Sequence, residues 1–297
     1  MLSSAARRSS GWTSVILLVF AVLAAAPVAA ADGQSPPASQ APPPPQEPPP
    51  DPDRDMNLAE PDFALGALPT TLRLPRGTFA FRLTHRFTRP IADGTVGDFF
   101  EDFFGFDAAA RIGMEVRYGI WPGTQVNVHR TNNRAIQFMG QQNLFAQTDT
   151  RWVSAQAVVA VEGADNFTED FSTTVGGVIS RQFKARGAVY VQPLFVWTTN
   201  PAPDLNGLPE HTMVLGVGTR LRIGPSKWYA VVEAAPQIAG YKTGIDHVSL
   251  GLERRSGGHL FQVTVTNALG TTMRQVAQGG VREGDWYIGF NLSRRFF

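Results

Sequence analysis

Apolar and polar residues alternate along most of the chain after Pro75, with the period of two that is typical of a β-strand. Met114, Val116 and Tyr118 alternate in this way with Glu115 and Arg117. Segments with the same alternation lie near 79–87, 215–223, 261–266 and 286–292. No helical period of comparable length appears in the sequence. The pattern therefore predicts an all-β domain.

The alternating segments predict about twelve strands in one domain that spans residues 76–297. The predicted strands are 77–89, 108–119, 124–131, 134–146, 150–161, 171–183, 187–199, 211–223, 227–236, 246–254, 259–267 and 285–296. Most of them approach the about 9 to 11 residues that a tilted transmembrane strand needs. Ten strands are the alternative, if the short segments 124–131 and 227–236 are not separate strands.

The connections between predicted strands alternate between short and long. Short turns at 121–123 and 224–226 contrast with long loops at 90–107 and 268–284. Outer-membrane barrels have short periplasmic turns and longer outer loops. Because lipid offers no hydrogen bonds to the backbone, such a sheet must close on itself. We therefore predict a single closed antiparallel transmembrane β-barrel with both termini in the periplasm.

The N-terminal residues 1–31 have the three parts of a signal peptide. Arg7 and Arg8 are followed by an apolar run at 15–26, and residues 29–31 offer an Ala-x-Ala cleavage site. We therefore predict export through a cleaved signal peptide and localisation in the bacterial outer membrane.

Residues 32–75 are predicted to be a Pro-rich disordered periplasmic segment, because a Pro-rich composition has little apolar surface to bury. A spacer is the simpler interpretation of this segment, and a binding site for a periplasmic partner is the alternative.

Composition and charge exclude several classes of function. Lys and Arg number 26 against 25 Asp and Glu, a net charge of +1 that gives no basic footprint for nucleic acid. The absence of Cys excludes disulfides, Cys-ligated zinc and thiol catalysis. No cofactor or metal site is predicted. The expected partners are outer-membrane lipid and the barrel-assembly machinery, which would read the aromatic C-terminal strand.

Charged residues recur on the face opposite the apolar stripe, where water in a lumen can solvate them. The predicted lumen-lining residues are Arg82, Arg86, Arg111, Glu115, Arg117, Arg220, Arg222, Glu233 and Glu253. An Arg-biased lumen favours a porin-like passive channel for small polar or anionic solutes. A non-conducting structural or partner-binding barrel is the alternative, because eight-stranded barrels are filled by side chains, sixteen-stranded barrels conduct, and twelve strands lie between.

An aromatic and acidic segment in the first long loop is a candidate constriction or mouth loop. Its aromatic residues are Phe99, Phe100, Phe103 and Phe104. Long loops often cover or build a binding site.

His247 and Ser249, with Asn267 on the next strand, raise the remote alternative of an outer-membrane lipase. A His can deprotonate a Ser that lies two residues away on the same strand face. Leu250-Gly251 follows the serine in place of the Asn-Gly usual at such sites. The pair also faces away from lipid, so we predict that the protein is not an enzyme.

Four stretches resemble a family of bacterial outer-membrane β-barrel proteins known mainly as a domain of unknown function. They are Phe104-Gly105-Phe106-Asp107 running on to Tyr118-Gly119-Ile120, His129-Arg130-Thr131 with Gln142-Asn143-Leu144, Gly251-Leu252-Glu253 with Gly258-His259-Leu260-Phe261-Gln262 and Thr266-Asn267-Ala268-Leu269-Gly270, and Ile288-Gly289-Phe290-Asn291 with Arg295-Phe296. The resemblance covers nearly the whole domain and implies a fold and a location. It implies no substrate, reaction or catalytic residue.

Overall fold

The computed structural model describes residues 57–93 and 109–296, and these residues contain thirteen β-strands. The strands are β1 (Phe79–Phe87), β2 (Ala110–Trp121), β3 (Thr124–Thr131), β4 (Ile136–Phe145), β5 (Ser154–Ala164), β6 (Glu169–Gln182), β7 (Gly187–Val196), β8 (Thr212–Arg222), β9 (Trp228–Ala235), β10 (Gln237–Gly240), β11 (His247–Ser256), β12 (His259–Thr266) and β13 (Tyr287–Phe296). Two short helices in the same residues are α1 (Pro203–Asn206) and α2 (Met273–Gln278).

Twelve of the described strands form a closed antiparallel ring. β1 pairs with both β2 and β13, and β9 pairs with both β8 and β11. Closure gives each strand of the ring a hydrogen-bonded neighbour on both sides, as a sheet in lipid requires. The predicted barrel of about twelve strands is confirmed, and the ten-strand alternative is wrong because the segments near 124–131 and 227–236 are separate strands, β3 and β9.

The one described strand outside the ring, β10, continues β9 after a break at Pro236. Proline has no N–H to donate to a neighbouring strand, so it interrupts the ladder at that point. Gln237 then pairs with Val214 on β8, and the register shifts between Gln237 and Ala239. The barrel wall is therefore extended on this side beyond the end of β9.

Side chains alternate between the outside and the inside of the barrel. Met114, Val116 and Tyr118 on β2 are 48%, 52% and 48% exposed, whereas Glu115 and Arg117 between them are 8% and 2% exposed. Apolar residues outside and charged residues inside are the arrangement of a barrel that stands in lipid. In the described part of the chain, no helix combines the length and hydropathy that a membrane-spanning helix needs.

The two ends of the barrel differ in their connections. At one end the strands meet in short turns, where Gly123 (φ +79°) and Gly257 (φ +57°) adopt left-handed conformations that glycine tolerates best. At the other end lie the long connections, including those that carry α1 and α2. We call these the short-turn end and the loop end.

Residues 57–75, here called the luminal hairpin, fold back on themselves inside the barrel. Leu65 N–H donates to the Leu68 carbonyl at 2.9 Å, and Ala64 and Pro69 form an antiparallel bridge. Asn57 at its start donates to Gln182, near the short-turn end, so the hairpin enters from that end.

The luminal hairpin corrects the predicted boundary between the disordered segment and the barrel. We predicted disorder over residues 32–75, but residues 57–75 are ordered and mostly buried. The physical reason is composition: the prolines are densest before Pro61, and the apolar residues Phe63, Leu65 and Leu68 follow it. Residues 1–56, which include the predicted signal peptide and the densest prolines, lie outside the described residues.

Residues 268–281 between β12 and β13 enter the barrel from the loop end. They are called the mouth loop from here on, and they are distinct from the first long loop, whose phenylalanines were predicted to form a constriction or mouth loop. Thr272 caps α2 by accepting a hydrogen bond from the Gln275 N–H at 3.4 Å. Met273, Val276 and Ala277 on α2 are at most 3% exposed. The interior of the barrel is thus filled from both ends, by the luminal hairpin and by the mouth loop.

Candidate functional site

The nine charged residues predicted to line the lumen fall on its inner face or near its ends. Seven are at most 8% exposed inside the barrel: Arg82, Arg86, Glu115, Arg117, Arg220, Glu233 and Glu253. Arg222 is half-buried at the short-turn end, where it donates to the carbonyls of Pro225 and Ser226. Arg111 is half-buried at the loop end.

Two ion pairs neutralise part of the buried charge. Arg220 donates to both oxygens of Glu253, with Nε–Oε2 and Nη2–Oε1 distances of 2.8 Å. Arg117 donates to Glu115 Oε1 from Nη2 at 2.8 Å and from Nε at 3.1 Å. The Arg220–Glu253 pair is bidentate, the geometry in which a buried pair best offsets its desolvation, whereas both Arg117 donors share one oxygen of Glu115.

The Glu233 side chain binds the backbone at the tip of the luminal hairpin. Its carboxylate accepts hydrogen bonds from three successive N–H groups, those of Gly66 at 2.9 Å, Ala67 at 2.8 Å and Leu68 at 3.0 Å. Successive N–H groups that converge in this way form an anion-binding nest. His247 Nε2 lies 2.9 Å from Glu233 Oε1 and fixes the carboxylate from the other side.

The tip needs glycine at position 66 because the wall approaches it closely. A Cβ at this position would lie 2.5 Å from Glu233 Oε1 and 2.8 Å from Ser249 Oγ.

Arginine side chains of the wall bind the carbonyl groups of the same hairpin. Arg82 Nη2 donates to the Gly66 carbonyl at 2.8 Å, and Arg220 Nη2 donates to the Ala64 carbonyl at 2.6 Å. Asn291 Nδ2 also donates to the Gly66 carbonyl, at 3.2 Å. The charges expected to face water in the lumen therefore contact a peptide backbone.

Four glutamines on the opposite side of the lumen contact the second half of the hairpin. Gln125, Gln141, Gln156 and Gln192 donate to the carbonyls of Leu72, Thr70, Thr71 and Pro69 at 2.7 to 3.2 Å. These residues were missed because only charges were considered as lumen chemistry. Their signal in the sequence was available: each occupies an inward position of an alternating strand.

Apolar contacts complete the docking of the tip. Leu65 and Leu68 are fully buried in a cluster that includes Tyr190, Val214 and Val231 from the barrel wall. The luminal hairpin therefore contacts both charged and apolar side chains of the barrel wall.

At the base of the hairpin, Glu60 accepts hydrogen bonds from Thr71 N–H at 2.8 Å and from Gln182 Nε2 at 3.1 Å. Glu60 belongs to the hairpin, outside the membrane-spanning strands, and its burial raises the pKa of its carboxyl group. The Thr71 and Ser180 hydroxyl oxygens are 2.5 Å apart, which joins the hairpin to β6.

The remaining candidates are the phenylalanines of the first long loop, the lipase residues and a metal site. Phe99, Phe100, Phe103 and Phe104, proposed as a constriction or mouth loop, lie outside the described residues. The lipase candidates His247 and Ser249 are both 2% exposed and lie beneath the tip of the luminal hairpin. Within residues 57–93 and 109–296, no group of three acidic or His side chains is placed to hold a metal.

Cavities remain at both ends of the filled lumen. At the short-turn end, Glu60, Thr71 and Gln182 help to line a cavity of about 180 Å³. At the loop end, Arg111, Glu162 and Arg274 help to line one of about 490 Å³. The luminal hairpin and the mouth loop lie between them.

Several solved membrane barrels are similar to this chain. An outer membrane channel from Pseudomonas putida F1 has a TM-score of 0.45 at 8% identity, covering 75% of this chain and 97% of its own. Outer membrane phospholipase A from Escherichia coli has a TM-score of 0.44 at 13% identity, covering 80% and 95%. A triple-mutant porin of Rhodopseudomonas blastica has a TM-score of 0.33 at 10% identity, covering 63% and 55%.

Among proteins of curated function, none matches the sequence. One family does match, over residues 63–296, a range that includes most of the luminal hairpin as well as the barrel. The chain belongs to this family, described as a membrane bound beta barrel domain (DUF5777).

Proposed function

We propose that this protein is an outer-membrane channel for small polar or anionic solutes, and that the luminal hairpin is its gate. In this proposal the structure describes the closed state. Export through the N-terminal signal peptide belongs to the same proposal.

The observation that carries the proposal is how the luminal hairpin is attached to the wall. Its backbone hydrogen bonds are internal, as between Thr70 N–H and the Phe63 carbonyl at 2.9 Å, and the hydrogen bonds described above between hairpin and wall involve wall side chains. The strand ladder closes without the hairpin. Water can replace side-chain hydrogen bonds in a polar lumen. Withdrawal of the hairpin would therefore leave the barrel closed and its polar wall solvated, and solutes would pass beside the mouth loop, which stays in place.

Charge supports the anion preference of the open state. The buried wall arginines, Arg82, Arg86, Arg117 and Arg220, are equal in number to the buried wall glutamates, Glu115, Glu162, Glu233 and Glu253, and the buried Arg274 of the mouth loop adds a fifth positive charge. The luminal hairpin brings two further acids, Glu60 and Asp62, which would leave with it. An excess of fixed positive charge in a pore favours anions.

A cysteine pair can lock the proposed gate, because the chain contains no cysteine of its own. The hydroxyl oxygens of Thr71 and Ser180 are 2.5 Å apart, so the double variant Thr71→Cys/Ser180→Cys can form a disulfide with an S–S bond of about 2.05 Å. Glu233→Gln in the same background weakens the docking of the hairpin tip.

The experiment compares planar-bilayer conductance of the triple variant when it is oxidised and after reduction. We expect silence from the oxidised protein and discrete steps with anion preference after reduction. Glu233→Gln with Thr71→Cys alone is the control, and it should conduct under both conditions. Arg82→Glu or Arg117→Glu should shift the reversal potential toward cations. Silence from reduced protein that is a folded barrel with a protease-accessible hairpin would overturn the proposal.

That same silence would favour the second candidate, a non-conducting structural or partner-binding barrel. The specific observation in its favour is the apolar docking of Leu65 and Leu68, which water does not replace. The proposal assigns no catalysis to His247 or Ser249. Lipid hydrolysis that disappears in Ser249→Ala would contradict that part of it.

A further inference from the structure

The loop-end cavity contains polar atoms that the folded chain leaves without partners. Glu162 Oε2, Arg274 Nε and Arg111 Nη1 are buried, and none has a hydrogen-bond partner within residues 57–93 and 109–296. Glu162 is 5% exposed and Arg274 is 8% exposed, and all three residues line the cavity of about 490 Å³. Buried polar groups in proteins are nearly always paired, so this set calls for a ligand.

The surroundings of these atoms form a built site. Arg274 Nη1 donates to the Asp170 carbonyl at 2.7 Å, which fixes its guanidinium and leaves Nε available. Gln275 Oε1 accepts from Thr271 N–H at 3.1 Å, which fixes the turn that begins the mouth loop helix. The mouth loop is thus held against the wall strand β6, and its own turn is fixed beside the cavity.

The three atoms together require opposite charges in one small molecule. Glu162 Oε2 needs a donor, and Arg111 Nη1 and Arg274 Nε need an acceptor. A purely anionic solute would leave Glu162 Oε2 without a donor and would be repelled by the carboxylate, and a purely cationic solute would leave Arg111 Nη1 and Arg274 Nε without an acceptor. A molecule with an ammonium group and a carboxylate satisfies both sides. The cavity volume lies within the about 300–1,000 Å³ of small-molecule sites.

We propose that the cavity between β5 and the mouth loop binds a small zwitterion of the α-amino acid type, with its carboxylate on Arg111 and Arg274 and its ammonium on Glu162. This inference rests on the proposed function in one respect: it names the class of solute that the channel would take up at its loop end.

The probes are L-glutamine and its two halves, glutaramate, which lacks the ammonium, and 4-aminobutanamide, which lacks the carboxylate. Binding is measured by equilibrium dialysis on the full chain in detergent, with the hairpin locked by the oxidised Thr71→Cys/Ser180→Cys pair. The locked protein does not need to conduct. Failure to bind and failure to conduct are therefore separate results.

We expect L-glutamine to bind at least about tenfold more tightly than either half, the effect of one charge-assisted hydrogen bond. Glu162→Gln should remove the preference over glutaramate, and Arg111→Gln should remove the preference over 4-aminobutanamide. Arg134→Gln is the matched control, because Arg134 lies between two lining residues but its side chain is 59% exposed and paired with Asp165.

Equal binding of all three probes, or no binding of any, would overturn the proposal and leave water as the occupant of the cavity. An unchanged preference in both Glu162→Gln and Arg111→Gln would also overturn it. Heat-modifiable migration on a gel would show that each variant is a folded barrel, so that a loss of binding is not a loss of fold.

Discussion

The luminal hairpin and the mouth loop both fill the barrel, but they are held in different ways. The hairpin is bound by wall side chains that contact its backbone, as Glu233 does at the Gly66, Ala67 and Leu68 N–H groups. The mouth loop carries the short helix α2, whose buried residues are Met273, Arg274, Val276 and Ala277. It is also continuous with β12 and β13, whereas the hairpin precedes the first strand.

This difference shows which of the two inserted segments, the luminal hairpin or the mouth loop, can move without the barrel wall. The mouth loop cannot leave the lumen without displacing the ends of β12 and β13. The hairpin can leave without breaking any strand pair, because its described hydrogen bonds to the wall involve wall side chains. Equal burial therefore does not mean equal coupling to the fold, and matched substitutions in the two inserts should separate local release from global unfolding.

The largest expected effect comes from truncating one buried apolar side chain in each insert. Leu68→Ala in the hairpin and Met273→Ala in the mouth loop each remove contacts worth about 2–5 kcal/mol. For Leu68→Ala we expect faster hydrogen exchange of the hairpin amides and an unchanged denaturation midpoint of the barrel. For Met273→Ala we expect a lower midpoint. Identical behaviour of the two variants would remove the distinction between the inserts.

A second, smaller effect tests the anion nest at the hairpin tip. In Glu233→Gln, an amide NH2 replaces one carboxylate oxygen. The backbone N–H groups that donate to that oxygen, such as those of Gly66 and Leu68, then lose their acceptor. Each orphaned buried donor costs about 1–3 kcal/mol, and we expect docking to weaken by about 2 kcal/mol. Limited proteolysis within residues 57–75 measures the release. Glu115→Gln is the matched control, because Glu115 pairs with Arg117. Equal proteolysis of the two variants would contradict a special role for Glu233.

The barrel could be predicted from the sequence because its wall has a strict period. Met114 and Val116 outside, with Glu115 and Arg117 inside, fix both the strand and its orientation. The luminal hairpin could not be predicted in this way. Most of its contacts with the wall join its backbone to residues more than fifty positions away, as between Leu72 and Gln125, and backbone groups leave no pattern in a sequence.

The same limit applies to the chemistry of the lumen. Inward arginines such as Arg82 and Arg220 were identifiable from alternation, but their partners are hairpin carbonyl groups as well as acids. The inward glutamines are as regular as the charges, and a search for inward amides would have found them. The loop-end cavity depends on where the mouth loop folds, which no local period encodes.

Removing a single hydrogen bond between the wall and each segment compares the hairpin and the mouth loop again, with a smaller expected effect. Gln192 Nε2 donates to the Pro69 carbonyl of the hairpin at 3.0 Å, and Gln137 Oε1 accepts from the Met273 N–H of the mouth loop at 2.7 Å. Gln192→Ala should weaken hairpin docking by about 1 kcal/mol and leave the barrel midpoint unchanged. Gln137→Ala should lower the midpoint, because it orphans a buried donor. Hydrogen exchange and denaturation of both variants measure the two effects, and a lower midpoint in Gln192→Ala would argue against independent release.

The smallest expected effect is the pH dependence of hairpin docking through Glu60. Burial raises the pKa of this carboxyl group above its ordinary value of 4.5 when the hairpin is docked, whereas a released hairpin exposes it to water. The docked state therefore binds the proton more tightly, and this contribution to docking is fully present below pH 4.5 and is lost as the pH rises through the raised pKa. Hydrogen exchange of residues 57–75, corrected for the intrinsic effect of pH, should show weaker protection at the higher pH. Glu60→Gln cannot titrate and should show a flat profile. A profile in Glu60→Gln as steep as that of the unsubstituted chain would assign the pH dependence to another group. The amides of the mouth loop serve as the internal reference, because Glu60 does not contact them.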